Sequence, residues 1–365
     1  MSATPDHERS LPDPVIAANL YCKDHLDDLI SFVIKRFWDQ FIPHDPDHLY
    51  YIWLFRYSRC GEHLKVRIHG PAREFSLLQA LLQEASDSYF STQSEPAAPS
   101  AALRRDVPPI DREDLALQDY PDRSLLWTNY DRSIISLGPK PFLLDNTYVA
   151  LFTRCLGMAC QVILAGLDLQ PPSHEQRFSH RFRQATLLKL ILSGLTLAGL
   201  TSREGLVYLT YHRDWLIRGM LAQKNAAWQS EAEIIKRFEA QAAKLDGMIR
   251  SIAELARSRW EDLVLEADPV LARWQHSVAD FARYLSLDKG GTENLPDPFA
   301  DNLIFPAIFK MFHVIANQIG LKKQDEALSY HLLLLAHGGE RSVAREIRRV
   351  PLIRESLTLE RVVCE

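Results

Sequence analysis

The spacing of apolar positions changes period along this chain, and the changes mark out its elements. Between about His25 and Phe41 the apolar residues Leu26, Leu29, Ile30, Val33, Ile34 and Phe37 recur at three- and four-residue intervals. That spacing predicts a helix with one buried stripe, and Pro43 ends it. The period then falls to two. Residues 49–70 read LYYIWLFRYSRCGEHLKVRIHG, which predicts two strands joined by a polar turn at 58–62, with Gly61 available for positive φ. In the second strand Leu64, Val66 and Ile68 alternate with His63, Lys65, Arg67 and His69, so the apolar and basic sets occupy opposite faces. Pro71 opens a further helix with the stripe Phe75, Leu78, Leu82 and Ala85. A helix–strand–strand–helix unit belongs to α+β architectures.

Residues 92–112 are rich in Pro, Ala and Ser and read as a surface loop or linker. Strands are expected at 125–129 and 134–137, then a two-proline loop at 138–142. Helices are expected at 144–167, 179–200, 213–220, 230–266, 269–285, 303–319 and 324–336. The predicted class is therefore α+β: an N-terminal antiparallel β-sheet with flanking helices, followed by a mainly α-helical C-terminal half. The expected divisions are a flexible 1–14, an α+β part at 15–145, a helical part at 146–340 sharing the core, and a tail at 341–365. No fixed-period repeat indicates a solenoid.

Composition narrows the classes. Of 365 residues, 47% are apolar and 24% charged, the balance of a soluble globular protein with a sizeable core. A net charge of −5 argues against a protein that grips nucleic acid through its phosphates. Residues 1–14 are polar and lack the apolar segment of a signal peptide. The longest strongly apolar stretch, 187–200, is interrupted by Lys189, Ser193 and Thr196 and is shorter than the ~20 residues of a membrane span, so no membrane partner is expected. Five cysteines (Cys22, Cys60, Cys155, Cys160 and Cys364) are an odd number with no C-x-x-C spacing. They read as reduced thiols of a cytoplasmic protein, not as a disulfide framework or zinc site.

Phosphate-cradling loops, G-x-S-x-G and H-E-x-x-H are all missing, so neither cofactor nor metal is expected. Two segments carry the candidate chemistry. The basic strand face of His63, Lys65, Arg67 and His69 suits an anionic group or charge developing in a reaction. It equally suits the wet face of an ordinary strand, with Lys65 the residue most readily explained by solvation. In residues 310–334, Ile308, Phe312, Ile315 and Ile319 form a buried stripe, while His313 and Asn317 lie four apart on a neighbouring face. They fit a general acid/base with a hydrogen-bonding partner, or a satisfied buried pair. Gly320 fits a C-cap. Arg341, Arg345, Arg348 and Arg349 suit a solvated helix end or a dock for an acidic peptide, and Trp215 and Trp228 suit packing positions.

Together these segments resemble the C-terminal, glutamate-elimination domain of class I lantibiotic dehydratases, which also occurs as a stand-alone protein in thiopeptide-type pathways. The family pattern has an aromatic strand ending in R-Y, a glycine turn and H-L-R-x-R. This chain has FRYSRCGEHLKVRIHG, matching at Arg56, Tyr57, Gly61, His63, Leu64 and Arg67, with Lys65 in an arginine position. A later pattern, S-x-x-H-M-x-x-N-R-L-G before an acidic helix start, becomes MFHVIANQIGLKKQDEALSYHLL. His313, Asn317 and Gly320 match there, and Gln318 replaces an arginine. A middle pattern, Y-x-x-E-x-x-R-Y-G-G, survives as YDRSIISLGP, keeping Tyr130 and Gly138 but placing Ser136 where the family has arginine. The resemblance spans residues 15–340.

The resemblance implies a cytoplasmic peptide-modifying enzyme that takes a leader-bearing precursor peptide, works beside a separate glutamylating subunit and leaves a homodimer open. Its first implied reaction removes glutamate from glutamylated Ser or Thr to leave a dehydroamino acid. On that reading His313 transfers the proton and Arg67 holds glutamate or the enolate, with Lys65, His63, His69, Asn317 and Tyr130 as substrate-binding residues. Ser136 at the arginine position admits a second reaction of the family, a [4+2] pyridine synthesis that joins two dehydroalanines and then loses water and leader. A third reading is a non-catalytic leader-binding partner that pairs with an extended peptide by strand addition.

Overall fold

The computed structural model describes residues 15–41, 50–57, 62–93, 121–128, 146–170, 178–198, 202–222, 230–247, 249–250, 268–287 and 304–336. Two compact units divide the chain, Met1–Gly157 and Met158–Glu365.

The first unit is built on four antiparallel strands in the order β2-β3-β1-β4: β1 Val15–Tyr21, β2 Tyr51–Tyr57, β3 His63–His69 and β4 Ser124–Thr128. The hairpin β2–β3 and the strand β4 form where alternation predicts them. β1 is not anticipated by the sequence reading, yet it inserts between β3 and β4 and makes β3 an interior strand. Ile16, Ala18 and Leu20 stand opposite Ile68, Val66 and Leu64, and all six are buried. Each Ile, Leu or Val side chain of the set removed from water contributes about 1.5–3 kcal/mol, which fixes the register, since a one-residue slip would turn the whole set over.

The expected first helix is a composite of α1 (Leu26–Asp28), a π-helical segment Leu29–Ile34 and α2 (Lys35–Phe41). The wider π turn was not legible from spacing alone. A 3-10 turn, Ala72–Glu74, leads from Pro71 into α3 (Phe75–Thr92). The Arg56 guanidinium pairs with Asp27 at 2.7 Å, tying the apolar side of β2 to α1. Arg36 donates to Ser88 Oγ at 2.8 Å, linking α2 to α3.

Helices follow at α4 Asn146–Asp168, α5 His180–Leu197, α6 Ser202–Leu221, α7 Glu231–Lys244, α8 Pro269–Leu287, α9 Ile304–Ile319 and α10 Lys323–Ala336. The boundary between the two units falls inside α4. Ser179 and Ser230 cap α5 and α7, each side chain accepting from the backbone three residues on. α6 is longer than the expected 213–220. α7 breaks at Leu245, whose N–H turns to Ala242 O; helical backbone resumes at 246–247 and 249–250, and the rest of the expected 230–266 lies outside the described residues. The expected strand at 134–137, the loop at 138–142, Gly61, Trp228, the four C-terminal arginines, Cys60 and Cys364 lie outside the described residues.

Cys22, Cys155 and Cys160 are buried free thiols, and burial pushes Cys22 up to about 12. The expectation that 187–200 is the longest strongly apolar stretch is corrected. Among the described residues, Asn146–Asp168 is the helix long and apolar enough to span a bilayer, but 72% of its most apolar window is buried in the protein. That is the pattern of a core helix.

Candidate functional site

β3 carries the first group of candidates. Cross-strand pairing puts Tyr51 and Val15 beside His69, Trp53 and Ala17 beside Arg67, Phe55 and Asn19 beside Lys65, and Tyr57 and Tyr21 beside His63. The basic residues therefore share their face with aromatic rings, not with solvent. His63, Lys65, Arg67 and His69 are between 0% and 2% exposed, which overturns the wet-face expectation and the solvated reading of Lys65. The physical reason is topological. Alternation reports that a strand has two unlike faces, whereas the central position of β3 and its flanking aromatics decide that both are buried.

Each of the four side chains has a specific setting. The Arg67 Nη1 donates to Ala18 O at 3.1 Å and Val66 O at 3.0 Å. The Lys65 ammonium sits 4.3 Å over the Tyr57 ring, and His63 packs between Tyr21 and Tyr57 at 4.5 and 5.2 Å. His69 stacks on Tyr51 at 4.4 Å, and its Nε2 accepts from Trp53 Nε1 at 3.3 Å. Burial, followed by the Arg67 charge, lowers its pKa to about 3, so this ring is neutral. Part of the face is closed by α4. The Tyr51 and Thr153 hydroxyls are 3.3 Å apart, and Gly157 admits the Tyr51 ring where a Cβ would lie 2.6 Å from it.

The second group lies in the helical unit. On α9 the stripe Ile308, Phe312, Ile315 and Ile319 is fully buried as expected. Phe309, Lys310, His313 and Asn317 form a half-buried row beside it, so His313 and Asn317 are not a sealed pair. The end of α9 is fixed twice over. Gly320, at φ 82°, allows Gly320 N–H to reach Asn317 O and Leu321 N–H to reach Ala316 O, both at 2.9 Å, which is a Schellman closure. Arg183 of α5 then donates to Ile319 O at 3.1 Å and Gly320 O at 3.0 Å.

His313 Nδ1 lies 2.8 Å from Glu326 Oε2 in the first turn of α10. The imidazole is 30% exposed and the carboxylate 2%. A carboxylate on Nδ1 accepts a proton from that nitrogen and directs Nε2 as the reactive lone pair. Behind Glu326 the interior is polar and aromatic: Tyr330 on α10, with Tyr208 and His212 on α6. His212 stacks on Phe309 at 3.9 Å, and burial holds its pKa well below the usual imidazole value. Burial also lowers the Lys310 ammonium, one turn before His313. The sequence reading missed Glu326, Lys310, Tyr208 and His212. Only Glu326 left a signal, as part of the acidic helix start. Tyr130 lies outside the described residues. Among the described residues no cluster of three His, Cys, Asp or Glu side chains is disposed to hold a metal.

A four-stranded antiparallel sheet followed by a helical unit defines an α+β protein, and the helical unit sets a half-exposed histidine on a buried carboxylate. The chain belongs to the lantibiotic biosynthesis dehydratase C-terminal family, whose profile matches residues 16–337. Among curated proteins no sequence matches it. Three solved structures share the fold. The pyridine synthase TbtD from thiomuracin biosynthesis has a TM-score of 0.59 at 14% identity, over 88% of this chain and 97% of that one. TsrL has 0.55 at 17%, over 93% and 99%. The tRNA-dependent lantibiotic dehydratase MibB from Microbispora sp. 107891 has 0.53 at 12%, over 96% of this chain but 29% of that one.

Proposed function

We propose that this protein is a peptide-modifying enzyme in the biosynthesis of ribosomally made peptide natural products, that His313 is its proton-transfer residue, and that it closes a pyridine ring from two dehydroalanines. The observation that carries the choice of reaction is the state of β3. One imidazole is held neutral, and the Arg67 guanidinium is buried with Nη1 held by two main-chain carbonyls. Such a face is a poor open clamp for a glutamate carboxylate, which favours the reaction that has no glutamate to bind. Co-extension with the pyridine synthase TbtD, and Ser136 at an arginine position of the family, support the same reading.

The chemistry follows from the dyad. With Glu326 accepting from Nδ1, the free Nε2 takes the N–H proton of the amide that tautomerises to the azadiene. The imidazolium so formed is stabilised by the buried carboxylate and returns that proton to the amide oxygen, giving the azadiene hydroxyl; after ring closure the hydroxyl departs as water together with one ring C–H proton, which the same imidazole relays. Release of the leader as an amide completes aromatisation. A second reading, glutamate elimination beside a separate glutamylating subunit, draws on Arg67 and Lys65, which keep cationic groups on the strand that the family uses. There His313 would handle the Cα proton.

The test is incubation with two leader-bearing peptides, one holding two dehydroalanines and one glutamylated, followed by mass spectrometry. The proposal expects loss of water and release of leader from the first. Loss of glutamate from the second alone selects elimination. Binding of leader without mass change in either means a non-catalytic partner.

A further inference from the structure

The second oxygen of Glu326 raises a question that the dyad alone does not answer. Oε2 is occupied by His313, but Oε1 is buried and has no hydrogen-bond partner among the described residues. A buried carboxylate oxygen is among the least tolerable atoms to leave without a donor, because water no longer solvates it and the low surrounding dielectric strengthens the deficit. Two further polar atoms in the same region are in the same condition. The Tyr330 and Tyr208 phenol oxygens are both buried and both lack a partner of good geometry among the described residues. Tyr330 lies four residues after Glu326, on the same face of α10. The Tyr208 ring stands 6.2 Å from the Tyr330 ring, edge to face, and reaches in from α6. Burial keeps both phenols protonated; at Tyr208 a hydrogen bond from Tyr330 works against it and the Glu326 charge with it, and at Tyr330 the Tyr208 and Glu326 charges add to it. A carboxylate oxygen without a donor, near two phenols that interact only loosely with each other, is a network that closes once the hydroxyls turn, directly or through a buried water.

We propose that Tyr330, with Tyr208 behind it, is a positioning residue for the His313–Glu326 pair, supplying the donor to Glu326 Oε1. The donor locks the carboxylate rotamer, so that Oε2 faces Nδ1 and the histidine keeps its proton on that nitrogen with Nε2 open. The inference rests on the reading of His313 as the proton-transfer group, but the network has a signature in the resting protein.

That signature is measured without substrate. Tyr330→Phe removes one oxygen and little volume. If the hydroxyl holds Glu326, the variant loses about 2–4 °C in melting temperature, and the same change in a Glu326→Leu background loses nothing. If the hydroxyl is idle, Tyr330→Phe melts at or above the wild-type temperature in both backgrounds, and the proposal is overturned. Nitrogen-15 spectra of the imidazoles supply the second arm. The Nδ1–H tautomer of His313 should decline in Tyr330→Phe, and an unchanged tautomer ratio contradicts the positioning role. Turnover on the bis-dehydroalanine peptide then separates the two readings. A stability coupling with no turnover in the wild type leaves the network standing and removes the assigned reaction.

Discussion

His313 Nδ1 and Glu326 Oε2 lie 2.8 Å apart across the junction of α9 and α10, the imidazole half-exposed and the carboxylate buried. They lie thirteen positions apart in the chain, and the Schellman closure at Gly320 with the Arg183 contacts to the end of α9 makes the turn that brings them together. His313→Ala is therefore expected to lower turnover of the verified peptide by about 100-fold or more, the contribution of a positioned acid/base group, while the protein stays folded. Glu326→Gln keeps the shape and removes the charge that stabilises the imidazolium, so kcat should fall by about tenfold or more with little change in KM. Wild-type kcat in both variants would remove His313 from the mechanism.

Arg67 is a different kind of residue. It is fully buried on the interior strand, and its Nη1 satisfies the carbonyl oxygens of Ala18 and Val66. Arg67→Ala leaves those bonds unmade and opens a cavity, so it should destabilise the first unit by about 2–5 kcal/mol in urea unfolding. Activity lost in that variant would not by itself identify a catalytic arginine. A denaturation midpoint equal to wild type would show that Arg67 is not part of the scaffold.

Much of this fold was legible because its helices carry sustained three- and four-residue spacing and its hairpin alternates cleanly. β1 escaped because a short run of small and apolar residues, Val15–Tyr21, has no alternation to report and borrows its strand character from pairing with β3 and β4. The same missing strand explains the error over solvent. Without β1 the hairpin reads as half-exposed, and with it β3 becomes interior. At the site, His313 stood out as a polar residue on an apolar helix. Its partner did not, because Glu326 looks like an ordinary acidic residue at a helix start, and only the tertiary turn at Gly320 distinguishes it. Tyr208 and His212 come from α6, far away in sequence, and no spacing rule connects them to α9.

Two helix glycines give substitutions of opposite sign. Gly157 of α4 faces Tyr51, whose Cβ would lie 2.6 Å from an added methyl group, too close without movement of the strand. Gly157→Ala should destabilise by about 1–3 kcal/mol despite the better helix propensity of alanine. Among the described residues, Gly219 of α6 has nothing within 4 Å of the corresponding position. Gly219→Ala should stabilise by about 0.4–1 kcal/mol, largely by restricting the unfolded chain. Thermal melting of the two variants checks both signs, and a stabilised Gly157→Ala would mean that α4 does not pack on Tyr51 as described.

His69 makes stability depend on pH in a calculable direction. Its ordinary pKa of 6.5 applies in the unfolded chain, whereas in the folded protein burial and the Arg67 charge hold it at about 3. Above pH 6.5 the ring is neutral in both states and contributes no slope. Below pH 6.5 the unfolded chain takes up a proton that the folded ring refuses, so the folded state loses ground steadily until the pH reaches about 3. At ~1.36 kcal/mol per pH unit, the loss between pH 6.5 and pH 5 is about 2 kcal/mol from this residue. His212, also buried and neutral, adds to the same limb. His69→Gln retains an acceptor for Trp53 Nε1 but no titrating group. Urea unfolding at pH 7.5 and pH 5 should therefore show a smaller acid penalty in His69→Gln than in the wild type. An equal penalty in both proteins would mean that His69 is not held neutral inside the sheet.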